Sequence, residues 1–305
     1  LRKCRNHQSE SNLQIIIKSQ HMKFENIYMN SEKRLEDCLL SLWAKGQHPM
    51  RPAIKDLFKR EPFIAEPSFQ SSFGWKQIGS TTDWKTLFDP AVAQMMEDIG
   101  TRNGTRVWAP YQHQYDSWEI LLGNTQGPAQ SIVVTSGTGS GKTECFLYPV
   151  FNDMYRHRGE GIQAVFMYPL NALAADQKDR IRKCCDALGL KFACYNGNLK
   201  ETGRTPVGDS EIVSRDDVRN SRPDLLMTNP SMLEYIMVRD ADRDVTKPND
   251  PTQEESSLRW IVIDEAHTYT GSSAVELRYE ISRVLDAFNA KRDKVHFACT
   301  SATIG

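Results

Sequence analysis

Residues 134–144 read Val-Thr-Ser-Gly-Thr-Gly-Ser-Gly-Lys-Thr-Glu, and no other stretch limits so sharply what this chain can fold into. Gly137, Gly139 and Gly141 alternate ahead of Lys142 and Thr143. Lacking Cβ atoms, such a segment can curl its backbone N–H groups around an anion. Ser136 stands where the pattern Gly-x4-Gly-Lys-[Ser/Thr] has its first glycine, and a small residue suffices there. The β-branched run at 132–134 reads as a buried strand, and 145–148 open a helix whose N-terminus faces the anion. Ser136, Gly137, Thr138, Gly139, Ser140, Gly141, Lys142 and Thr143 are therefore expected to cradle a nucleoside triphosphate. Lys142 would reach the β- and γ-phosphates, and the Thr143 hydroxyl would ligate Mg2+.

A second apolar run, Ile261-Val262-Ile263, ends in Asp264-Glu265-Ala266-His267. The C-terminal end of a strand is where an open parallel sheet holds its ligand. Asp264 would hold Mg2+, directly or through water, and Glu265 would polarise the attacking water. On its own this is also the pattern of a solvated strand end. Strand, phosphate loop and helix, followed later by strand and acidic pair, is the order of a P-loop ATPase.

From about residue 107 the chain alternates between strands and helices. Strands are expected at 131–135, 163–168, 192–195, 224–228, 259–263 and 294–299, and helices near 142–157, 170–188 and 272–289. This rhythm predicts an α/β fold with a mostly parallel sheet covered by helices on both faces. The polar stretches 200–222 and 239–257 read as surface insertions. Residues 31–60 show helical spacing, with Leu35, Leu39, Leu42 and Trp43 on one face. Residues 61–90 carry Phe63, Phe69, Phe73, Trp75, Trp84 and Phe88 between turn residues, chiefly as packing against the main domain, with base stacking as the other reading. Three regions are expected: an arm at 1–30, disordered or lying upstream of a true start at Met22; an accessory segment at 31–106; and a nucleotide-binding lobe at 107–305.

The net charge of −1 excludes a generally basic nucleic-acid binder, so such binding must come from local loops. No apolar run is long enough for a membrane span. The seven cysteines include no Cys-x-x-Cys pair, which points to reduced thiols in a cytoplasmic protein without a zinc site. Cys184 and Cys185 are adjacent on a helix, diverge by about 100°, and read as core.

Asp264-Glu265-Ala266-His267, with Ser301-Ala302-Thr303 beyond it, resembles motifs II and III of DEAH-type superfamily 2 helicases, a match spanning roughly 108–305. The resemblance implies a RecA-like lobe that uses ATP and Mg2+ to act on nucleic acid. It implies that Gln114, in Tyr111-Gln112-His113-Gln114, reads the adenine edge. Residues 168–177 are similar to the nucleic-acid-contacting motif Ia, although Leu170 and Asn171 replace its usual threonine and basic residue. Asn171 can still donate to a phosphate. Residues 228–233 resemble motif Ib, with Thr228 and Ser231 as backbone contacts. His267, Ser301 and Thr303 are expected to couple the γ-phosphate to those loops, with His267 within hydrogen-bond reach of Ser301 or Thr303. The wording of residues 168–174, 195–198, 228–235 and 264–271 is similar to large bacterial helicases with a DUF1998-type C-terminal domain. Some of these belong to Druantia and DISARM defence systems. DNA is the expected nucleic acid.

Motifs IV to VI are not found here, so a second RecA-like lobe is expected in a longer chain or a partner. The rival readings are a non-hydrolysing ATP-binding adaptor and a truncated relic of a defence helicase. The carboxylate of Glu265 argues against the adaptor.

Overall fold

The computed structural model describes residues 26–302, apart from 47, 61–73, 80–81, 103–104, 107–108, 124–128, 138, 159–160, 203–207, 249–251 and 253–254. The expected arm lies largely outside the described residues, as do Phe63, Phe69 and Phe73. The chain forms two compact units, residues 1–73 and 74–305. In the first, α1 (26–43) and α2 (Arg51–Arg60) divide the helical stretch expected at 31–60. Among the described residues of this unit Leu40 and Ala44 are buried, whereas Leu42 and Trp43 are exposed, so the buried face is rotated from the expected one.

The second unit opens with α3 (Pro90–Ile99), capped by the Asp89 side chain on the N–H of Ala91. A two-residue hairpin follows, β1 (Thr101–Arg102) and β2 (Thr105–Arg106), then α4 (Gln112–Leu122). The main sheet takes in β3 (Ile132–Thr135), β4 (Ala164–Met167), β5 (Phe192–Cys194), β6 (Glu211–Ile212), β7 (Leu225–Thr228), β8 (Trp260–Ile263) and β9 (His296–Ser301). Helices α5 (Lys142–Arg156), α6 (Asn171–Leu188), α7 (Arg215–Ser221), α8 (Pro230–Val238) and α9 (Ser272–Ala287) connect them. The order is β3-β9-β8-β4-β7-β5-β6, and every pairing is parallel.

Period-two burial divides each strand between two cores. On β4, Ala164 and Phe166 join the cluster under α3 to α6, while Val165 and Met167 join the cluster under α8 and α9. Both faces are covered, which is why the strands read as unbroken apolar runs rather than alternating ones. Trp84 and Phe88 pack on Trp118 in the first cluster, at ring distances of 6.0 and 5.2 Å. The polar stretch 200–222 departs from expectation, since it supplies edge strand β6 and helix α7. Glu211, Lys178 and Arg182 satisfy one another there, a charge arrangement that hides the strand from a hydropathy reading. Cys184 and Cys185 are fully buried, and burial pushes the Cys184 thiol up to about 12, as expected of core residues. Among the described residues no helix is long and apolar enough to cross a membrane.

Candidate active site

The phosphate loop leaves β3 and turns directly into α5. Gly139 and Gly141 hold left-handed backbone, with φ of +77° and +76°. Gly141 is doubly constrained, because a Cβ there would lie 2.4 Å from Gln114 Nε2. Lys142 and Thr143 are the first two residues of α5, at its positive end. The Lys142 ammonium donates to the carbonyls of Ser136 (2.8 Å) and Gly137 (3.1 Å), closing over the loop's own acceptors. The Ser136 and Ser140 hydroxyls are hydrogen-bonded to each other. Thr138 lies outside the described residues.

Gln114 is 1 % exposed and faces backbone at both ends of its amide. Its Oε1 accepts from Tyr111 N at 2.9 Å, and its Nε2 donates to Gly141 O at 3.0 Å. In this geometry it staples α4 to the phosphate loop rather than presenting an open edge to a base. His113 lies beside it, Nε2 3.0 Å from Ser140 O, with Tyr111 stacked on its ring and Trp75 edge-on. Trp75 remains 41 % exposed next to the loop.

One strand, β9, separates the loop strand from the acidic strand. Ser136 N donates to Ser301 O at 3.4 Å on one side. On the other, Thr300 reaches the acidic pair. Glu265 N donates to Thr300 Oγ1 (3.2 Å) and Asp264 Oδ1 (3.1 Å), and the Thr300 hydroxyl donates to Asp264 Oδ1. Glu265 has φ of +51°, a left-handed conformation that few residues with a side chain adopt. Its buried Oε2 has no hydrogen-bond donor.

His267 Nδ1 sits 3.1 Å from Glu265 Oε2, outside hydrogen-bond geometry, and makes no direct hydrogen bond to Ser301; the expected contact through Thr303 lies outside the described residues. The cross-strand link runs through Thr300, which the sequence reading missed. Its signal was available, as a polar residue inside a central strand next to Ser-Ala-Thr. Thr303 lies outside the described residues.

The loops expected to touch nucleic acid come together at the same sheet edge. Asn171, the first residue of α6, accepts from Asn229 Nδ2 at 2.9 Å. Thr228 is corrected: it is 3 % exposed and its hydroxyl donates to Tyr195 O, so the strand end buries it. Asn229, which also caps α8 through Met232 N, is the residue at the surface there. Ser231 is exposed in the first turn of α8. These residues border a groove of about 840 Å³ between α8 and α9 that also takes in Tyr269, Glu280 and Arg283. Burial, then the charge of Glu234, pushes the Glu280 carboxyl up to about 7, against the pull of Arg283.

The DEAD/DEAH box helicase family model matches residues 111–305. The chain is 24% identical to Druantia protein DruE of Escherichia coli (strain UMEA 4076-1), over 64% of this chain and 16% of that protein. It is 29% identical to the uncharacterized ATP-dependent helicase YprA of Bacillus subtilis (strain 168), over 64% of this chain and 23% of YprA. The crystal structure of the DUF1998 helicase MrfA bound to DNA superposes with a TM-score of 0.53 at 26% identity, covering 72% of this chain and 27% of that one. The DEAD-box helicase Mss116 bound to ssRNA and UDP-BeF gives 0.56 at 16% identity, covering 76% and 42%. The chain thus spans less than a quarter of DruE or YprA. With its phosphate loop, acidic pair and parallel sheet matched across 111–305, the chain belongs to the DEAD/DEAH box helicase family.

Proposed function

We propose that this chain is the first ATP-binding lobe of a superfamily 2 motor. ATP hydrolysis would drive translocation along, or unwinding of, nucleic acid once a second RecA-like lobe closes over the site. The observation that carries this reading is Glu265 Oε2, a buried carboxylate oxygen that accepts no hydrogen bond and has His267 Nδ1 at 3.1 Å as an ion-pair neighbour, one strand away from the phosphate loop.

The residues fit ATP with Mg2+. The left-handed glycines open the loop backbone to phosphates, and Lys142 can exchange its two carbonyl partners for phosphate oxygens. Thr143 and Asp264 would hold Mg2+, which when bound supplies charge neutralisation at the phosphoryl group. Glu265 would accept a hydrogen bond from the attacking water and hold it in line. Asn171, Asn229 and Ser231 offer neutral donors to a phosphate backbone, suiting a chain without basic excess.

DNA is the favoured track, since the DNA-bound MrfA structure is more similar in sequence than the ssRNA-bound Mss116 structure. The similarity to DruE supports a place in a defence system. The deciding experiment measures ATP turnover by the full-length protein with and without single-stranded DNA or RNA. Stimulation by DNA that disappears in Glu265→Gln is the expected result. Turnover indifferent to both nucleic acids and to that substitution would overturn the reading.

A further inference from the structure

We infer that Thr300 is a positioning residue for the acidic pair, aiming Asp264 at the metal and fixing the turn that presents Glu265. The inference rests on the hydrolytic roles proposed above for Asp264 and Glu265. Thr300 is fully buried in β9, between the loop strand β3 and the acidic strand β8. A central parallel strand with both faces covered normally carries aliphatic side chains, so a buried hydroxyl here requires partners. It has two, and they fix its orientation. A hydroxyl owns one proton. Because Glu265 N–H donates to Oγ1, the Thr300 proton is left to donate to Asp264 Oδ1, as it does.

The result is a closed triangle of Glu265 N, Thr300 Oγ1 and Asp264 Oδ1. It occupies Oδ1 from two donors, while Oδ2 receives none from the described residues and is the oxygen left for a metal or its water. It also holds the Glu265 amide twice, where the left-handed φ of +51° is unfavourable and persists only if its surroundings impose it. Thr300 also pairs in register with Val134, two residues before Ser136, so one side chain ties the orientation of both carboxylates to the strand that carries the phosphate loop.

The test uses the full-length protein, a fluorescent ATP analogue and a Mg2+ titration. Thr300→Val keeps the shape and removes the hydroxyl. Its affinity for the analogue in EDTA should stay within about twofold of the unsubstituted protein. The Mg2+ concentration giving half-maximal effect should rise by about 10–100-fold, the usual effect of losing a group that orients a metal ligand. Turnover should fall over the same range, and Thr300→Ser should restore both. If Thr300→Val does not fold, Thr300→Ala and Thr300→Ser form the comparison, and only the serine variant should keep the normal Mg2+ titration. A normal Mg2+ titration in the valine or alanine variant overturns the assignment. Equal loss of nucleotide affinity with and without Mg2+, or no rescue by serine, does so too, since each marks a packing role. Failure of the unsubstituted protein to bind the analogue at all would instead overturn the proposed function, and this assignment with it.

Discussion

Lys142 and Glu265 divide binding from chemistry, and each substitution tests one side. Lys142 faces the loop acceptors that a triphosphate would replace. Lys142→Ala should therefore weaken nucleotide binding by tenfold or more, measured by titration with a fluorescent analogue; a charge-assisted contact of about 1.5–3 kcal/mol corresponds to that factor. Glu265→Gln keeps shape and removes the carboxylate. Binding should change by less than about threefold, while turnover in the full-length enzyme falls by about 10²–10⁴. Equal loss of affinity in both variants would contradict these roles. Both were candidates from the sequence because the proposed chemistry demands fixed residue types at fixed spacing. Thr300 was not, since its function depends on strand order, and β9 lies beside β8 only in three dimensions. Thr228 failed for the converse reason: its motif placed it correctly at a strand end, but burial of that end passed the surface role to Asn229.

Elements rather than single residues set the behaviour of the groove between α8 and α9. Glu280 from α9 faces Glu234 from α8, with Arg283 bridging to Glu234 at 2.7 Å and Tyr269 at the groove wall. Below about pH 7 the Glu280 carboxyl is protonated and neutral; above it a negative charge appears in the groove that Asn171, Asn229 and Ser231 also line. Affinity of the full-length protein for single-stranded DNA should therefore decline as pH rises through about 7. Glu280→Gln should flatten that part of the profile in fluorescence anisotropy, and an unaltered profile would remove Glu280 from the account. Of the two helices, α9 was foreseeable from the 3.6-residue pattern at 272–289, whereas the shorter α8 was not among the expected periodic stretches. Edge strand β6 was not foreseeable either, because it is two residues long and one of them, Glu211, is charged.

At the scale of the whole molecule, Asp153 fastens α5 to the entry of β8. Its carboxylate accepts from Arg259 Nε and Trp260 Nε1, both at 2.7 Å, with His157 Nδ1 at 3.3 Å. Burial opposes the charge, but hydrogen bonds from His157, Arg259 and Trp260 outweigh it and hold Asp153 far below the usual carboxylate range, while the Asp153 hydrogen bond raises His157. The Asp153 contribution is complete above the unfolded value of about 3.9 and is lost as pH falls towards the folded one. The His157 contribution is complete below about 6.5 and is lost as pH rises through its folded value. Asp153→Ala should cost about 2 kcal/mol in urea unfolding near pH 5, and less in strong acid. On the two-lobe reading proposed above, an arginine from the second lobe would complete the site, a contribution worth about 10³–10⁵ in rate. The 305-residue chain should bind ATP yet turn it over at least about 10³-fold more slowly than the full-length enzyme. Equal rates would end the two-lobe account.

The position of β9 also sets a schedule for synthesis. Strand β3, which delivers the phosphate loop, has β9 as its only sheet partner among the described strands, and the two lie 166 residues apart in sequence. At about 5–20 residues per second, a ribosome would need on the order of 10–30 s between making one and making the other. Through that interval the glycine-rich segment has its α4 contacts from His113 and Gln114, but the strand that delivers it has no sheet partner and stays exposed to chaperones or to mispairing. Nucleotide capture by the nascent chain should therefore appear abruptly, only after residue 301 has emerged, rather than when the loop itself is translated.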